Sequence, residues 1–214
     1  MFDSNKQTKA GRTKQHTYYG LLFIYLIVAA LAVNAATNSP KPKQQVSTSD
    51  TELRDFLKNT INSADSFVDR FDAEVWLVDM SNRLKPFIKD PKQRLQLLRS
   101  IHREAKRAKL KPDLVLALIE VESHFDHYAV SSAGAQGLMQ VMPFWKKEIG
   151  RPEDNLVDIE TNLRYGCRIL QFYIKKEKGN WMNALARYNG SLGQYWYPER
   201  VMNAWKKRWY TTNL

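Results

Sequence analysis

The sequence predicts an all-α body, and three observations carry that expectation. Beyond residue 50, apolar residues recur at steps of three and four. With Gly166 the main exception, Gly and Pro stand at the ends of those periods rather than inside them. No stretch of the body alternates apolar and polar residues as a half-buried strand would. There is no internal repeat. A length of 214 residues with 43% hydrophobic residues fits one globular domain with an appendage.

Taken in order, residues 1–17 are polar and basic, with Lys6, Lys9, Arg12 and Lys14 against Asp3. Residues 18–33 carry no charge, and Asn34-Ala35-Ala36 supplies small residues suited to a cleavage site. Residues 1–36 therefore read as a basic flank plus a signal peptide, or an uncleaved anchor a little short for a membrane span. Either way the basic flank stays in the cytoplasm and the rest crosses. The alternative, an N-terminal helix of the folded body, is disfavoured because the stretch lacks the polar face that a surface helix would show. No Cys follows the apolar run, so a lipid anchor is not expected. Residues 37–49 are rich in Pro and small polar residues and read as a linker.

Residues 50–89 are expected to form a helical extension. Ser49 and Glu52 have capping-box spacing, and Leu53, Phe56, Leu57, Ile61 and Ala64 make an apolar stripe. A second helix is expected from about Asp72 to Leu84, with Val75, Trp76 and Met80 inward and a stop near Pro86. The main body is residues 90–214. Asp90 caps a helix with Pro91 at its first position, turning Leu95, Leu98, Ile101, His102 and Ala105 inward. Its many Lys and Arg residues read as a solvated face, and His102 as a packed or half-exposed side chain. Pro143 to Ile149 reads as a short helix ended by Gly150, and residues 151–157 as a loop. Asp158 caps a long helix through Lys178, packing through Leu163, Gly166, Ile169, Leu170 and Tyr173. Gly166 in mid-helix costs stability relative to Ala, which predicts close approach by another helix. Asn180 caps a helix bearing Trp181, Leu185 and Tyr188, and Pro198 begins a last helix through about Trp209.

The net charge of +11 attracts anionic partners, whether nucleic acid, acidic lipid or a polymer bearing carboxylates; charge alone does not choose among them. Cys167 is the only cysteine, so no disulfide forms within the chain, and it reads as a small core residue. His124 and His127 lie three apart without a third ligand, a weak zinc pattern. There is no EF-hand, no phosphate loop and no assignable base for a serine nucleophile, so no metal or cofactor is expected. Nothing in the sequence specifies an oligomeric state.

The chemistry concentrates in residues 112–143. Pro112 and Asp113 suit the start of a helix. Val115, Leu118, Ile119 and Glu122 fall near one face, so Glu122 ends an apolar stripe on the last turn. Glu120, about 200° away around the helix, points to the opposite side. Burial and the negative end of the helix dipole both raise a carboxyl pKa, which is what a general acid near neutral pH needs. Helix geometry alone equally allows a helix-end acid paired with Lys or Arg. The loop that follows shifts the balance. Ser131-Ser132-Ala133-Gly134-Ala135-Gln136-Gly137 is small and polar, so backbone can approach a ligand, and Leu138 to Met142 returns apolar bulk with one amide.

Here the sequence resembles a family. Glu122-Ser123-His124-Phe125, Ala129-Val130-Ser131 and the run Gly134 to Pro143 (Gly-Ala-Gln-Gly-Leu-Met-Gln-Val-Met-Pro) are similar to the signature of the soluble-type lytic transglycosylases. Asn162-Leu163-Arg164-Tyr165-Gly166 with Ile169-Leu170, and Ala184 to Gly190 (Ala-Leu-Ala-Arg-Tyr-Asn-Gly), resemble that family's second and third motifs. The likeness covers about residues 95–210, a single-domain span. It departs where Gly190-Ser191 stands after Tyr-Asn in place of the common Ala-Gly, which leaves open the shape of that wall of the cleft.

The resemblance implies a lysozyme-like helical catalytic domain over residues 90–214, acting on peptidoglycan in the periplasm, exported or anchored to the inner membrane through residues 18–36. It implies a single acid, Glu122, that cleaves the MurNAc–GlcNAc bond and leaves 1,6-anhydro ends. Asp126 lies too close in sequence to be a second carboxylate and reads as a turn residue; ordinary glycosidases use two. Ser131, Gln140, Met142, Tyr188 and Asn189 match groups lining the family's sugar cleft, with the Tyr188 hydroxyl expected near Glu122. The alternative for Ser131 and Gln140 is capping of the Gly loop, and for Met142 the core. Trp145, Trp181, Trp196, Trp205 and Trp209 suit either sugar stacking or packing. Tyr195, Trp196 and Tyr197 cannot all face inward and mark a cleft rim. The rivals are a hydrolytic muramidase of the same shape and a non-catalytic wall- or nucleic-acid-binding module. The second gives no reason for an acid on an apolar stripe, and no nucleic-acid partner is expected.

Overall fold

Local sequence signals start most of the helices in the computed structural model, which describes residues 70–211. The signal or anchor segment, the linker and the helix expected after Ser49 lie outside the described residues. Helix α1 (Arg70–Leu84) buries Ala73, Trp76, Leu77, Met80 and Leu84. Val75 was expected inward but is exposed. The inward stripe follows 73-76-77-80-84, and Val75 shares the outer face with Val78. Helix α2 (Pro91–Arg107) begins where the Asp90 carboxylate accepts from the Lys92 N–H at 2.9 Å. Its buried Arg94 donates to Ser81 Oγ and to the carbonyls of Ile88 and Lys89, tying α1 and the connection to α2. His102 is buried edge-on against Trp76, and burial pushes its pKa down to about 3.

Helix α3 (Pro112–Ser123) is the axis of the body. Leu114 to Ile119 are buried on every side, not along one stripe. Helix α2, helix α7 (Trp196–Ala204) and a π-helical turn (Trp205–Trp209) pack around it. Between lie α4 (Trp145–Ile149), α5 (Ile159–Lys176) and α6 (Trp181–Asn189). Asp158 and Asn180 cap α5 and α6 as their sequence positions predict. One core joins all of these and includes the buried face of α1, so it runs across the 89/90 boundary drawn from sequence. Among the described residues the only β pairing is two isolated bridges, Val130 with Gln136 and Gln136 with Val141.

Three expected boundaries shift. The turn over Pro143 is made by three-residue bonds, Trp145 N to Met142 O and Lys146 N to Pro143 O, so α4 starts two residues later. Helix α5 stops at Lys176, because Lys178 and Gly179 take left-handed backbone and the Gly179 N–H returns to Ile174 O. The last helix begins at Trp196, ahead of Pro198, which is tolerated in the first turn where an N–H has no helical partner. It widens into the π turn at Trp205.

The loop from Ser123 to Pro143 folds over the end of α3 and is braced from α5. Asn162 is fully buried; its Oδ1 accepts from Met139 N at 2.8 Å, and its Nδ2 donates to Gln136 O at 2.8 Å and Leu156 O at 2.7 Å. Gly137 has φ +74°, and a Cβ there would lie 2.5 Å from Asn162 Nδ2. Gly166 gives space to the Met139 side chain, with Sδ 2.4 Å from where its Cβ would be; the approach expected from another helix comes from the loop. Asn162→Ala should therefore cost about 3 kcal/mol by urea denaturation, because it orphans three buried backbone groups. A cost under about 1 kcal/mol would mean that the loop does not depend on this brace.

Candidate active site

Helix α3 carries three acids, and each meets a different donor. Asp113, in the first turn, accepts from the Trp205 indole N–H at 2.9 Å. Glu120 accepts from the Trp209 indole N–H at 2.6 Å and pairs with Arg208 at 3.3 Å. Glu122 stands on the other side, as its spacing predicts, and its Oε1 accepts a hydrogen bond from the Tyr197 hydroxyl. Among the described residues Glu122 has no ion pair, so the helix-end pairing belongs to Glu120. Burial pushes the Glu122 carboxyl up to about 7; the Tyr197 hydrogen bond and the nearby Arg200 charge hold it from rising further. Burial and the adjacent carboxylate push the Tyr197 and Tyr188 hydroxyls well above the usual tyrosine range, so both remain donors.

The loop is fixed against this helix end. His124 and Phe125 both take left-handed backbone, φ 51° and 66°, which turns the chain sharply after Glu122. Ser123 Oγ donates to Leu138 O at 2.8 Å, joining helix and loop. Asp126 accepts from Tyr128 N at 2.9 Å and is the turn residue its position suggested. The Tyr188 hydroxyl donates to Met139 O at 2.7 Å. The Met139 peptide is thus held at its N–H by Asn162 and at its carbonyl by Tyr188.

The other sequence-selected residues surround this loop. Ser131 is half-buried, and its Oγ accepts from Ala135 N at 3.0 Å. Gln140 is half-buried, with Nε2 donating to Ala129 O and Gly137 O at 3.1 and 3.0 Å. Both side chains therefore brace the loop. Met142 is half-buried, and Asn189 is exposed at the end of α6. Among the described residues no three His, Cys, Asp or Glu side chains converge.

Two residues of the constellation were missed. The Tyr188 hydroxyl, expected near Glu122, does feel its charge, but the hydrogen bond to Glu122 comes from Tyr197, while Tyr188 donates to the Met139 carbonyl. The aromatic row at 195–197 did signal a rim and splits as one: Tyr197 is buried, while Tyr195 and Trp196 are 56% and 50% exposed. Arg200, one turn after Tyr197, carried no distinguishing sequence signal among so many cations. A cavity of about 510 Å³ lies elsewhere, between α2, the start of α5 and Phe125, and its one acid, Glu160, is tied to Ser100 and Arg103.

The family description "Transglycosylase SLT domain" matches residues 99–209. The sequence is similar to the membrane-bound lytic murein transglycosylase C of Actinobacillus pleuropneumoniae serotype 5b, 52% identical over 48 residues, 22% of this chain and 13% of that protein. It is also similar to the protein of the same description from Yersinia pestis, 32% identical over 109 residues, 44% of this chain and 30% of that one. The matched segments thus span under a third of these curated relatives. Among solved structures, an inactive mutant of the lytic transglycosylase Slt of Pseudomonas aeruginosa aligns with 76% of this chain and 30% of its own, at TM-score 0.41 and 22% identity. The 70 kDa soluble lytic transglycosylase of Escherichia coli aligns with 89% of this chain and 35% of its own, at TM-score 0.41 and 19% identity.

The raised Glu122 carboxyl has a stability consequence. Its folded pKa of about 7 lies above the ordinary carboxyl value of 4.5, so the folded state binds the extra proton. The stability this contributes is complete below the unfolded value and is lost as pH rises through about 7. Glu122→Gln keeps the shape and an acceptor for Tyr197 but removes that loss. Its Tm should exceed that of wild type at pH 8 by more than at pH 5; an equal difference at both values would mean an ordinary, solvated carboxyl.

Proposed function

Because the chain belongs to the transglycosylase SLT domain family, we propose that it is a peptidoglycan lytic transglycosylase in which Glu122 acts first as acid and then as base. One observation carries the reading. Glu122 is a half-buried carboxyl held near pKa 7 by burial, hydrogen-bonded by a tyrosine and paired with no cation among the described residues. At neutral pH it is present in both protonation states, as a group that gives and retrieves one proton requires.

The Tyr197 hydroxyl donates to Oε1, which leaves Oε2 to carry the mobile proton. Protonated Glu122 gives that proton to the glycosidic oxygen as the bond to C1 of the muramoyl sugar breaks. The carboxylate then takes the proton of the C6 hydroxyl, and O6 bonds to C1. The products are a free 4-hydroxyl on the N-acetylglucosamine side and a 1,6-anhydro end on the muramoyl side, with no water consumed and the acid restored. The substrate's own acetamido oxygen stabilises the oxocarbenium-like charge that a second carboxylate would otherwise meet. Asp126, the acid nearest in sequence on the loop, is used in a turn.

Ser131 and Gln140 line the sugar cleft while bracing its backbone, Met142 packs against a ring, and Tyr188 and Asn189 form the facing wall. Residues 18–36 export the chain to the periplasm or tether it to the inner membrane, in line with the membrane-bound description of the relatives.

Purified sacculi supply the test. Wild type should release anhydro-muramoyl ends by mass spectrometry, and Glu122→Gln should lower the rate about 10²–10⁴-fold. Reducing ends would make the protein a hydrolase, and retention of most activity would remove Glu122 from the role. The rate should fall as pH rises through about 7, as the acid form is lost. Tyr197→Phe removes a hydrogen bond that lowers the Glu122 pKa, so its alkaline limb should move to higher pH while kcat drops about tenfold. A limb that moves down, or stays, would separate Tyr197 from the acid.

A further inference from the structure

Helix α7 brings more than Tyr197 to the acid. Arg200 lies three residues on, one turn along the same side of the helix, beside the residue whose hydroxyl reaches Glu122. Its side chain is exposed, and among the described residues it has no ion pair or hydrogen bond. Other arginines are committed. Arg187 holds Glu177, Arg208 pairs with Glu120, Arg83 with Asp79, and Arg107 with Glu104. The cation nearest the acid is thus left open, although its charge opposes the rise of the Glu122 pKa. That charge helps set the Glu122 pKa near 7, and the exposed guanidinium still has its donors free for an anion. Tyr195 and Trp196 are exposed at the start of α7, which puts an aromatic edge about one turn before the guanidinium. A planar fork suits a carboxylate, to which it can donate two parallel hydrogen bonds.

We propose that Arg200 recognises the carboxylate borne by the muramoyl half of the substrate, and thereby sets a preference for acidic over neutral glycan at the bond being cleaved. The inference rests on the reading of Glu122 as the acid. The carboxylate has two sources. It is the lactyl carboxylate on a strand stripped of peptide, or an acidic residue of the stem peptide where the lactyl group is amidated by that peptide. In either case a negative charge at Arg200 would offset its pull on Glu122.

Three substrates separate these cases: strands with stem peptides, strands freed of peptide by an amidase, and the freed strands with lactyl carboxylates converted to carboxamides. Each protein is assayed at its own pH optimum, and the acidic-to-neutral ratio of kcat/KM is compared within each protein, so that a change in Glu122 acid strength common to all substrates divides out. Arg200→Gln should lose about tenfold in kcat/KM, chiefly through KM, on the acidic substrate that supplies the carboxylate. Any loss on the neutral strands should be smaller, so the acidic-to-neutral ratio of kcat/KM should fall several-fold below that of wild type. The substrate showing the loss names the source, and Arg200→Lys should recover part of it. An equal loss on all three substrates, or no loss on either acidic one, overturns the inference. Reducing ends from wild type would overturn the reaction type alone, since the Arg200 effect is a ratio between substrates and is read whatever the product.

Discussion

A helix buried on all sides must find a partner for every polar group it carries, and α3 carries three carboxylates. Leu114 to Ile119 are sealed by α2, α7 and the π turn, so no acid at either end of that segment can be left to bulk water without opening the core. The chain answers from one C-terminal segment. Two indole N–H groups from the π turn meet Asp113 and Glu120, and a phenol from α7 meets Glu122. The difference in donor decides the outcome. Glu120 also has Arg208 and is held as a structural anion. Glu122 has a neutral hydroxyl, too little to offset burial, and its proton becomes mobile near neutrality.

A mobile proton is useful only if its surroundings stay in place. In its first half the loop after Glu122 buries Phe125 but otherwise stands largely exposed and is held by directed bonds. Asn162 reaches from α5 to three of its backbone and neighbouring groups, Tyr188 from α6 fixes the Met139 carbonyl, and Ser123 from α3 fixes Leu138 O. The apolar half anchors it, with Met139 packed into the space that Gly166 leaves. Helices α3, α5 and α6 thus each hold the loop by a polar side chain. The site behaves as part of the scaffold although it is built on a loop.

The charge of the protein acquires meaning at this scale as well. A net +11 says only that anions are attracted. Ion pairs then tie up much of the guanidinium set around the body, and Arg200 stands apart from them beside the acid. There the Arg200 charge favours the ionised form of Glu122 while burial favours the protonated one, and the two together set the carboxyl near neutrality.

The helical class, most of the helix starts and the placing of Glu122 at the end of its helix, away from Glu120, were legible in the sequence. These depend on local rules: apolar spacing, Asp90, Asp158 and Asn180 as caps, and the position of Glu122 relative to the stripe. The close approach at Gly166 was legible too, but not its partner. The signature loop was visible as a block of small residues, whereas its bracing by Asn162 was not, because the bonds join residues 23 and 26 positions apart. The sequence pointed to Tyr188 as the hydroxyl near Glu122 and gave Tyr197 only as part of a rim; packing reassigned the hydrogen bond. Tyr188 is turned to the loop carbonyl, and Tyr197 to the carboxyl 75 residues earlier. Sequence set the identity and spacing of the chemical groups, since these are written residue by residue. Tertiary structure decided which donor meets which acid, and so whether each carboxyl is an anchored anion or a proton carrier, because that choice depends on burial and distance between helices remote in the chain.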